Sequence, residues 1–339
     1  MERKLATIRK IGDIQPIENA DMIELCTVDG WKVVTAKNVG HKVGDFVVYC
    51  EVDSFLPIKE EYEFLRKSSY KKMGDQEGFR LKTIRLRGQI SQGLILPLGE
   101  VIPFPNSLDY MEVGKDVTEL LGIVKYEPPI PAELSGKVKG YFPSFIPKTD
   151  EERIQNFATE YEEFKKHTYY VSEKLDGSSA TFYFNNDEFG ICSRNLELLE
   201  TEGNTFWKVA RELNIENTMR DFGLNLSIQG ELIGEGIQGN PYKIKGQTVR
   251  IFNLFDIDTQ EYHTLKMFST IIENRFGLTT VPILNGQFIL PETIDELIRM
   301  ADGKSMLNDK FDREGIVIRS LDRKISFKVI SNKFLLNEK

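Results

Sequence analysis

The stretch Ser172-Glu173-Lys174-Leu175-Asp176-Gly177 sets a lysine two residues before an acid-glycine turn, directly after the run Tyr169-Tyr170-Val171. An amine there could act as a nucleophile only if neighbours corrected it, because a lysine with a pKa of about 10.4 is almost wholly protonated at neutral pH. Alone, Lys-x-Asp-Gly is equally the end of a strand in a tight turn, since Asp and Gly are ordinary turn residues. Later stretches offer companions. Arg194 in CSRN could meet a phosphate or ribose, and Glu231 in QGELIG stands beside glycines that let a ligand approach the backbone. Phe255-Asp256 in RIFNLFDID brings an aromatic that could stack on a base, and Glu314 in REGIVIR and Lys328 in SFKVIS follow. Singly, Arg194 reads as a surface charge, Phe255 as core and the acids as edge-strand charges.

The elements that must position these groups fall in two halves. Residues 4 to about 125 read as short strands between Gly, Asp and Asn turns, the spacing of a small OB-type barrel. One of them, Phe79 to Gly88, carries Arg80, Lys82, Arg85 and Arg87, whose parity changes midway, so a single pleated strand needs a bulge to show all four on one face. It is either a nucleic-acid contact or a solvated edge strand. The proline-rich segment 127–147 reads as a linker. Thr149 with Glu152 has the form of a capping box, and Ile154, Phe157, Tyr161 and Phe164 recur at helical spacing, which predicts an amphipathic helix. Beyond it, strands alternate with helices over Thr205 to Leu213 and Thr264 to Phe276. The expected fold class is α+β: residues 1–126 an OB-type β-barrel, residues 148–339 an antiparallel-sheet domain. There is no Gly-rich phosphate loop, so a nucleotide would be held by side chains from several strands.

Composition narrows the function classes. The chain has 339 residues, 40% apolar and 28% charged, with a net charge of -8, which argues against wholesale coating of nucleic acid but leaves room for local basic tracts. Three cysteines and three histidines, all scattered, exclude a disulfide framework and a zinc module. Without a signal-peptide core or a bilayer-length apolar run, the expectation is an intracellular protein, cytoplasmic or nuclear and not secreted, without a membrane partner and monomeric.

Lys-x-Asp-Gly, Ser-Arg, Gly-Glu-Leu, Phe-Asp-Ile, Glu-Gly-Ile-Val-Ile and a lysine strand, in that order, resemble the collinear motifs of the covalent nucleotidyltransferases. These are the ATP-dependent DNA ligases, RNA ligases and mRNA capping enzymes, with an ATP-grasp-like ligase domain. The resemblance covers about 170 to 333. GEGIQGNPYK after Glu231 looks like the RNA-ligase form, with Gln238 and Asn240 shaping the site. The barrel in front, with eleven residues after Lys328, is similar to RNA ligases that seal nicks whose 3'-OH strand ends in RNA. The resemblance implies ATP as substrate, Mg²⁺ or Mn²⁺ as cofactor, and RNA or an RNA-containing nicked duplex as partner. It makes Lys174 the carrier of AMP, with Glu231 and Glu314 as metal ligands and Lys328 on the α-phosphate. Phe255 would lie on adenine, Arg194 would face the ribose or 5'-phosphate, and the backbone at Ser172 and Glu173 would read the adenine edge; Asp176, Gly177 and Asp256 complete the set. One departure stands out: the last motif normally has two lysines one residue apart, here only Lys328, so Lys324 or Lys333 is expected to supply the other charge. A DNA ligase, a GTP-dependent capping-type guanylyltransferase and an inactive nucleic-acid-binding homologue remain as alternatives.

Overall fold

The computed structural model describes residues 4–102, 106–127 and 136–337. They divide into two compact units, Met1–Ile130 with Gln155–Tyr161, and Pro131–Ile154 with Glu162–Lys339. Among the described residues no helix is long and apolar enough to cross a membrane.

The first unit is built from strands β1 (Ala6–Lys10), β2 (Asp13–Pro16), β3 (Ile23–Val28), β4 (Trp31–Ala36), β5 (Phe46–Cys50), β6 (Ser54–Pro57), β7 (Tyr70–Met73), β8 (Gln76–Arg80), β9 (Thr83–Leu86), β10 (Gln89–Gln92), β11 (Leu94–Pro97) and β12 (Val124–Lys125). They form small antiparallel sheets in the orders β1-β5-β11, β2-β3-β4, β12-β6-β8-β7 and β10-β9, around a core that includes Ile8, Val48, Leu56, Tyr62 and Phe79. Asp29-Gly30 turns β3 into β4 with both residues at positive φ (47° and 82°). That is the two-residue hairpin geometry that matches strand twist, and Asp-Gly is suited to it.

The expected strand Phe79 to Gly88 is two strands. β8 ends at Arg80, and β9 begins at Thr83 and pairs with β10 through a turn at Arg87 (φ 48°) and Gly88 (φ 80°). The parity change between Lys82 and Arg85 therefore marks a strand break, not a bulge. Arg80 is committed within the unit: its guanidinium donates to Asp53 (2.7 Å) and lies 4.5 Å from the centroid of the Tyr126 ring. Lys82, Arg85 and Arg87 are exposed.

The described residues of the second unit form two sheets. Its strands are β13 (Val138–Tyr141), β14 (Tyr169–Lys174), β15 (Ser178–Asn185), β16 (Glu188–Cys192), β17 (Leu196–Leu198), β18 (Leu226–Gly234), β19 (Gln247–Asp256), β20 (Glu261–Tyr262), β21 (Thr279–Thr280), β22 (Ile283–Phe288), β23 (Gly315–Ser320) and β24 (Ser326–Ile330). The larger sheet runs β13-β17-β16-β15-β18-β19-β20, with β21 parallel to β19; the smaller runs β22-β14-β23-β24. Helices Thr205–Glu212, Ile215–Phe222 and Leu265–Asn274 pack Val209, Met219, Phe268 and Ile272 against Phe182, Ile228 and Ile251 of the larger sheet. Asn204 caps the first of these by accepting from the Phe206 N–H (3.0 Å), the usual role of Asn at that position.

Two expectations around residues 127–164 change. Residues 128–135 of the expected linker lie outside the described residues, and its residues 138–141 form the edge strand β13 of the larger sheet. The expected amphipathic helix is instead a 3₁₀ turn at Ile154–Phe157 and a single helical turn at Tyr161–Phe164. The hydroxyl that would cap it is engaged elsewhere, since Thr149 bonds the Ser179 hydroxyl (2.6 Å), and the Glu152 backbone carbonyl accepts from the Lys328 N–H (2.7 Å).

Candidate active site

Lys174 is the last residue of β14, and antiparallel pairing places it opposite Gly315. Glu314, one residue before β23, meets it there: its carboxylate accepts from the Lys174 ammonium at 2.7 Å. Glycine at 315 is a packing requirement, because a Cβ would stand 2.2 Å from the Val329 carbonyl oxygen of β24. The Asp176 N–H donates to the buried Tyr242 hydroxyl at 2.6 Å, which fixes the turn that follows the lysine. Gly177 then lies on β18, where a Cβ would stand 2.5 Å from the Leu232 carbonyl oxygen and 2.9 Å from the Glu231 side chain. These contacts bring the turn after Lys174 against Glu231.

The electrostatics follow from this crowding. Burial by itself lowers the pKa of the Lys174 amine, but Glu314, Glu231 and Asp176 outweigh it and hold the amine above its usual range. Burial also pushes the Glu231 carboxyl up to about 8; Glu314 and Asp176 add to the rise, while Lys174 and the Gly177 N–H oppose it. These neighbours therefore favour an ammonium at Lys174 and resist a full complement of carboxylates.

Across the smaller sheet, Ser172 pairs with Val317 and Val317 with Lys328, so Ser172, Lys174 and Lys328 share one face. The next row on that face is Tyr170, Arg319 and Ser326. Arg319, 2% exposed, donates to the Ser172 hydroxyl (3.2 Å) and pairs with Glu151 (3.1 Å), whose carboxylate also accepts from the Ser326 hydroxyl (2.5 Å). Glu173 points to the opposite face, is buried, and accepts from the Met306 N–H (2.8 Å). Its own N–H donates to the Pro282 carbonyl (2.9 Å).

Other expected residues lie elsewhere. Phe255 is 3% exposed and sits in a cluster with Phe142, Tyr183 and Ile257, its ring 5.0 Å from that of Tyr262. It pairs with Ser227, whereas Glu231 pairs with Arg250; five residues of strand put Phe255 roughly 16 Å along β19 from that point. Asp256 closes a turn by accepting from the Thr259 N–H (2.8 Å). Phe252, on the same strand, does reach the site. It is half-buried, packs on the cluster of Leu175, Ile233 and Val281, and has the Arg319 guanidinium 5.7 Å from its ring centroid. Phe252 and Phe255 differ in parity on one strand, and alternation alone could not say which faced the lysine. Neither Lys324 nor Lys333 joins Lys328. Lys324 is in the turn between β23 and β24, at the far end of the hairpin, and Lys333 pairs with Asp312 at 3.8 Å.

Arg194 lies in the exposed loop after β16 and pairs with Asp150 (2.9 Å). The segment 149–153 spans the unit residue by residue: Thr149 to Ser179 of the larger sheet, Asp150 to Arg194, Glu151 to Arg319, and Glu152 and Arg153 to Lys328 of the smaller. Gln238 donates to the Gly177 carbonyl (3.3 Å), and Asn240 clamps its own loop through both polar atoms to the Ile244 backbone.

Comparison with known proteins agrees with this architecture. A family model described as an OB-fold domain matches residues 5–98, and the RNA ligase family model matches residues 167–331. No curated protein sequence matches the chain. Among solved structures, an apo mutant of Naegleria gruberi RNA ligase is 45% identical with a TM-score of 0.84, covering 99% of this chain and 98% of that one. A glutamate-to-alanine mutant of that ligase with AMP and Mn is 46% identical (TM-score 0.84), and a lysine-to-alanine mutant with ATP and Mn is 46% identical (TM-score 0.83), each covering 99% of both chains. An OB-fold domain followed by an antiparallel-sheet ligase domain is the class this chain represents. The chain belongs to the RNA ligase family.

Proposed function

We propose that the protein is an ATP-dependent RNA ligase in which Lys174 carries AMP. The observation that supports this is the Lys174 amine, at the end of β14, held 2.7 Å from the Glu314 carboxylate with Glu231 beside the same turn. The Lys174 nitrogen attacks the α-phosphorus of ATP, a P–N bond forms, the bond to the β-phosphate oxygen breaks, and pyrophosphate leaves. AMP then passes to an RNA 5'-phosphate, and a 3'-OH displaces it to close the phosphodiester. Each transfer is in line, so positioning and charge neutralisation carry most of the catalysis. Glu314 is the hydrogen-bonded acceptor best placed for the ammonium proton. Lys328 faces the same side as Lys174 and is suited to the α-phosphate. Arg319 stands beside Ser326, one of the two positions open to the missing lysine, and is suited to supply its charge. Phe252, not Phe255, is suited to stacking on adenine, and Ser172 with the backbone at Glu173 borders that space.

The donor set fits a divalent metal of the Mg²⁺ or Mn²⁺ kind. Glu231 and Glu314 are hard oxygen ligands, and among the described residues no group of three His, Cys, Asp or Glu converges into a metal cage. Such ions are commonly held by one or two carboxylates, with waters and substrate phosphates completing the shell. When bound, the ion supplies positive charge to the phosphates and to the environment of the lysine, which favours the neutral amine. In the first unit, Lys82, Arg85 and Arg87 are free to meet RNA phosphates, whereas Arg80 is engaged by Asp53.

The test is incubation with ATP or GTP labelled at the α-phosphate. Label is expected on the protein from ATP and absent from Lys174→Ala. Label only from GTP, or label retained by Lys174→Ala, would refute the assignment.

A further inference from the structure

The second unit contains a cavity of about 350 Å³ that the reaction above does not use, walled by Val138, Ser193, Leu196, Leu198, Thr201 and Asn204 among others. Beside it, the pairing of β13 with β17 slips by one residue. Val138 faces Leu198, but Gly140 faces Glu197 and Tyr141 faces Leu196. In a regular pleat Tyr141, three residues from Val138, would turn to the other face. The slip re-aims it to the face of Leu196 and Leu198, which line the cavity. Lys139, left at the slip, is satisfied by Glu197 at 2.9 Å. Tyr141 itself is 72% exposed, an aromatic surface held on the cavity side with little packed against it.

The lining suits a sugar better than a phosphate. It offers the Thr201 hydroxyl, the Ser193 hydroxyl oxygen as an acceptor and the Glu202 carboxylate, against a single cation, Lys137, while the Asn204 side chain is committed to its helix cap and to the Leu199 carbonyl. A carboxylate repels a phosphate but accepts from ribose hydroxyls, and an aromatic face takes any base. The volume is at the small end of ligand pockets, the scale of one nucleoside. The position is also apt. Ser193 precedes Arg194, and Arg194 is joined through Asp150 to the segment that touches Arg319 and Lys328.

We propose that this cavity with Tyr141 is a subsite for one unpaired ribonucleotide of the RNA substrate, the base stacked on Tyr141 and the ribose among the polar groups of the lining. The proposal rests on the ligase reading. The base must be unpaired, because a base within a duplex has no free face to offer. The 2'-hydroxyl gives the lining a means to tell RNA from DNA.

The full chain and its Tyr141→Ala, Tyr141→Trp and Glu202→Gln variants would be titrated into a single-stranded RNA bearing a fluorescent adenine analogue, and each protein charged with labelled ATP in parallel. Tyr141→Ala is expected to need about tenfold more RNA for half-saturation, the loss of one stacked base. Tyr141→Trp is expected to restore binding, and charging of Lys174 to stay unchanged throughout. Glu202→Gln is expected to narrow the preference of the parent protein for RNA over the same strand in DNA. Unchanged binding by Tyr141→Ala, or an equal loss on a fully paired duplex, overturns the subsite. A parent protein that shows the Tyr141 dependence but never charges Lys174 overturns the ligase reading instead.

Discussion

Gly177→Ala tests whether the contact between the Lys174 turn and β18 positions the nucleophile. The added Cβ would lie 2.5 Å from the Leu232 carbonyl oxygen, 2.8 Å from Ile233 Cγ2 and 2.9 Å from Glu231 Cγ. Leu232 is in the interior of β18, paired with β15 on one side and β19 on the other, so its carbonyl cannot retreat. The turn must move by about 1 Å to reach ordinary contact distance. Overpacking of this kind costs about 1–3 kcal/mol, which lowers the melting temperature of a domain this size by about 2–12 °C. The larger effect falls on chemistry, because Lys174 is three residues away in the same turn and a displacement of about 1 Å in a reacting group can cost about 100-fold in rate. The assay is single-turnover trapping of α-labelled ATP as an acid-stable protein adduct, with thermal melting of the same samples. Gly286→Ala is the control, since a Cβ there meets nothing within 4 Å. If Gly177→Ala charges within about threefold of the parent, the idea that close packing on β18 sets the lysine is wrong.

Two further outcomes follow from the site. Charging should rise with pH between 6 and 9: the amine of Lys174 is held above its usual range, so the reactive neutral form grows as pH rises, and the Glu231 carboxyl ionises only through about 8. Glu231→Gln removes one of the charges that hold Lys174 up and should move this limb to lower pH while reducing the maximum rate; a flat single-turnover profile in the parent refutes the assignment. Phe252→Ala should raise the ATP concentration for half-maximal charging about tenfold with little change in melting. Phe255→Ala should instead cost about 3–5 kcal/mol of stability, as for other buried phenylalanines, with a near-parental ATP requirement. The reverse pattern would return the adenine contact to Phe255.

The charged residues became candidates through the order of six motifs, since each alone has a plain structural reading. A lysine before Asp-Gly and later Glu and Lys on alternating strands lead to the one face that Ser172, Lys174 and Lys328 share, with Glu314 at its edge. What the sequence did not disclose depends on partners far along the chain. Phe252 displaces Phe255 because the register of β19 is set by β18, with a shift at Gln229/Gly230. Arg319 carries no motif of its own, and only the pairing of β23 with β24 sets it opposite Ser326, one of the two positions open to the missing lysine. Glu173, adjacent to the nucleophile, faces away from it by the same two-residue period that brings Ser172 in.

The failed helix at 149–164 carries the most information about how the site is held. Thr149 and Glu152 have the identity of capping residues, and apolar residues follow at helical spacing, so local preference favours a helix. Tertiary bonds override it. Thr149, Asp150, Glu151, Glu152 and Arg153 each reach a residue of one sheet or the adjoining loop, in sequence from Ser179 to Arg194, Arg319 and Lys328. A helix here would have turned most of these side chains away from the sheets, since only residues three or four apart share a helical face. An extended segment spends one residue per contact and can span both sheets. Arg194 on one side, and Arg319 and Lys328 on the other, are thereby fixed to consecutive residues of one strap, so the groups suited to the RNA end and those suited to the nucleotide phosphate are aligned through the same five residues.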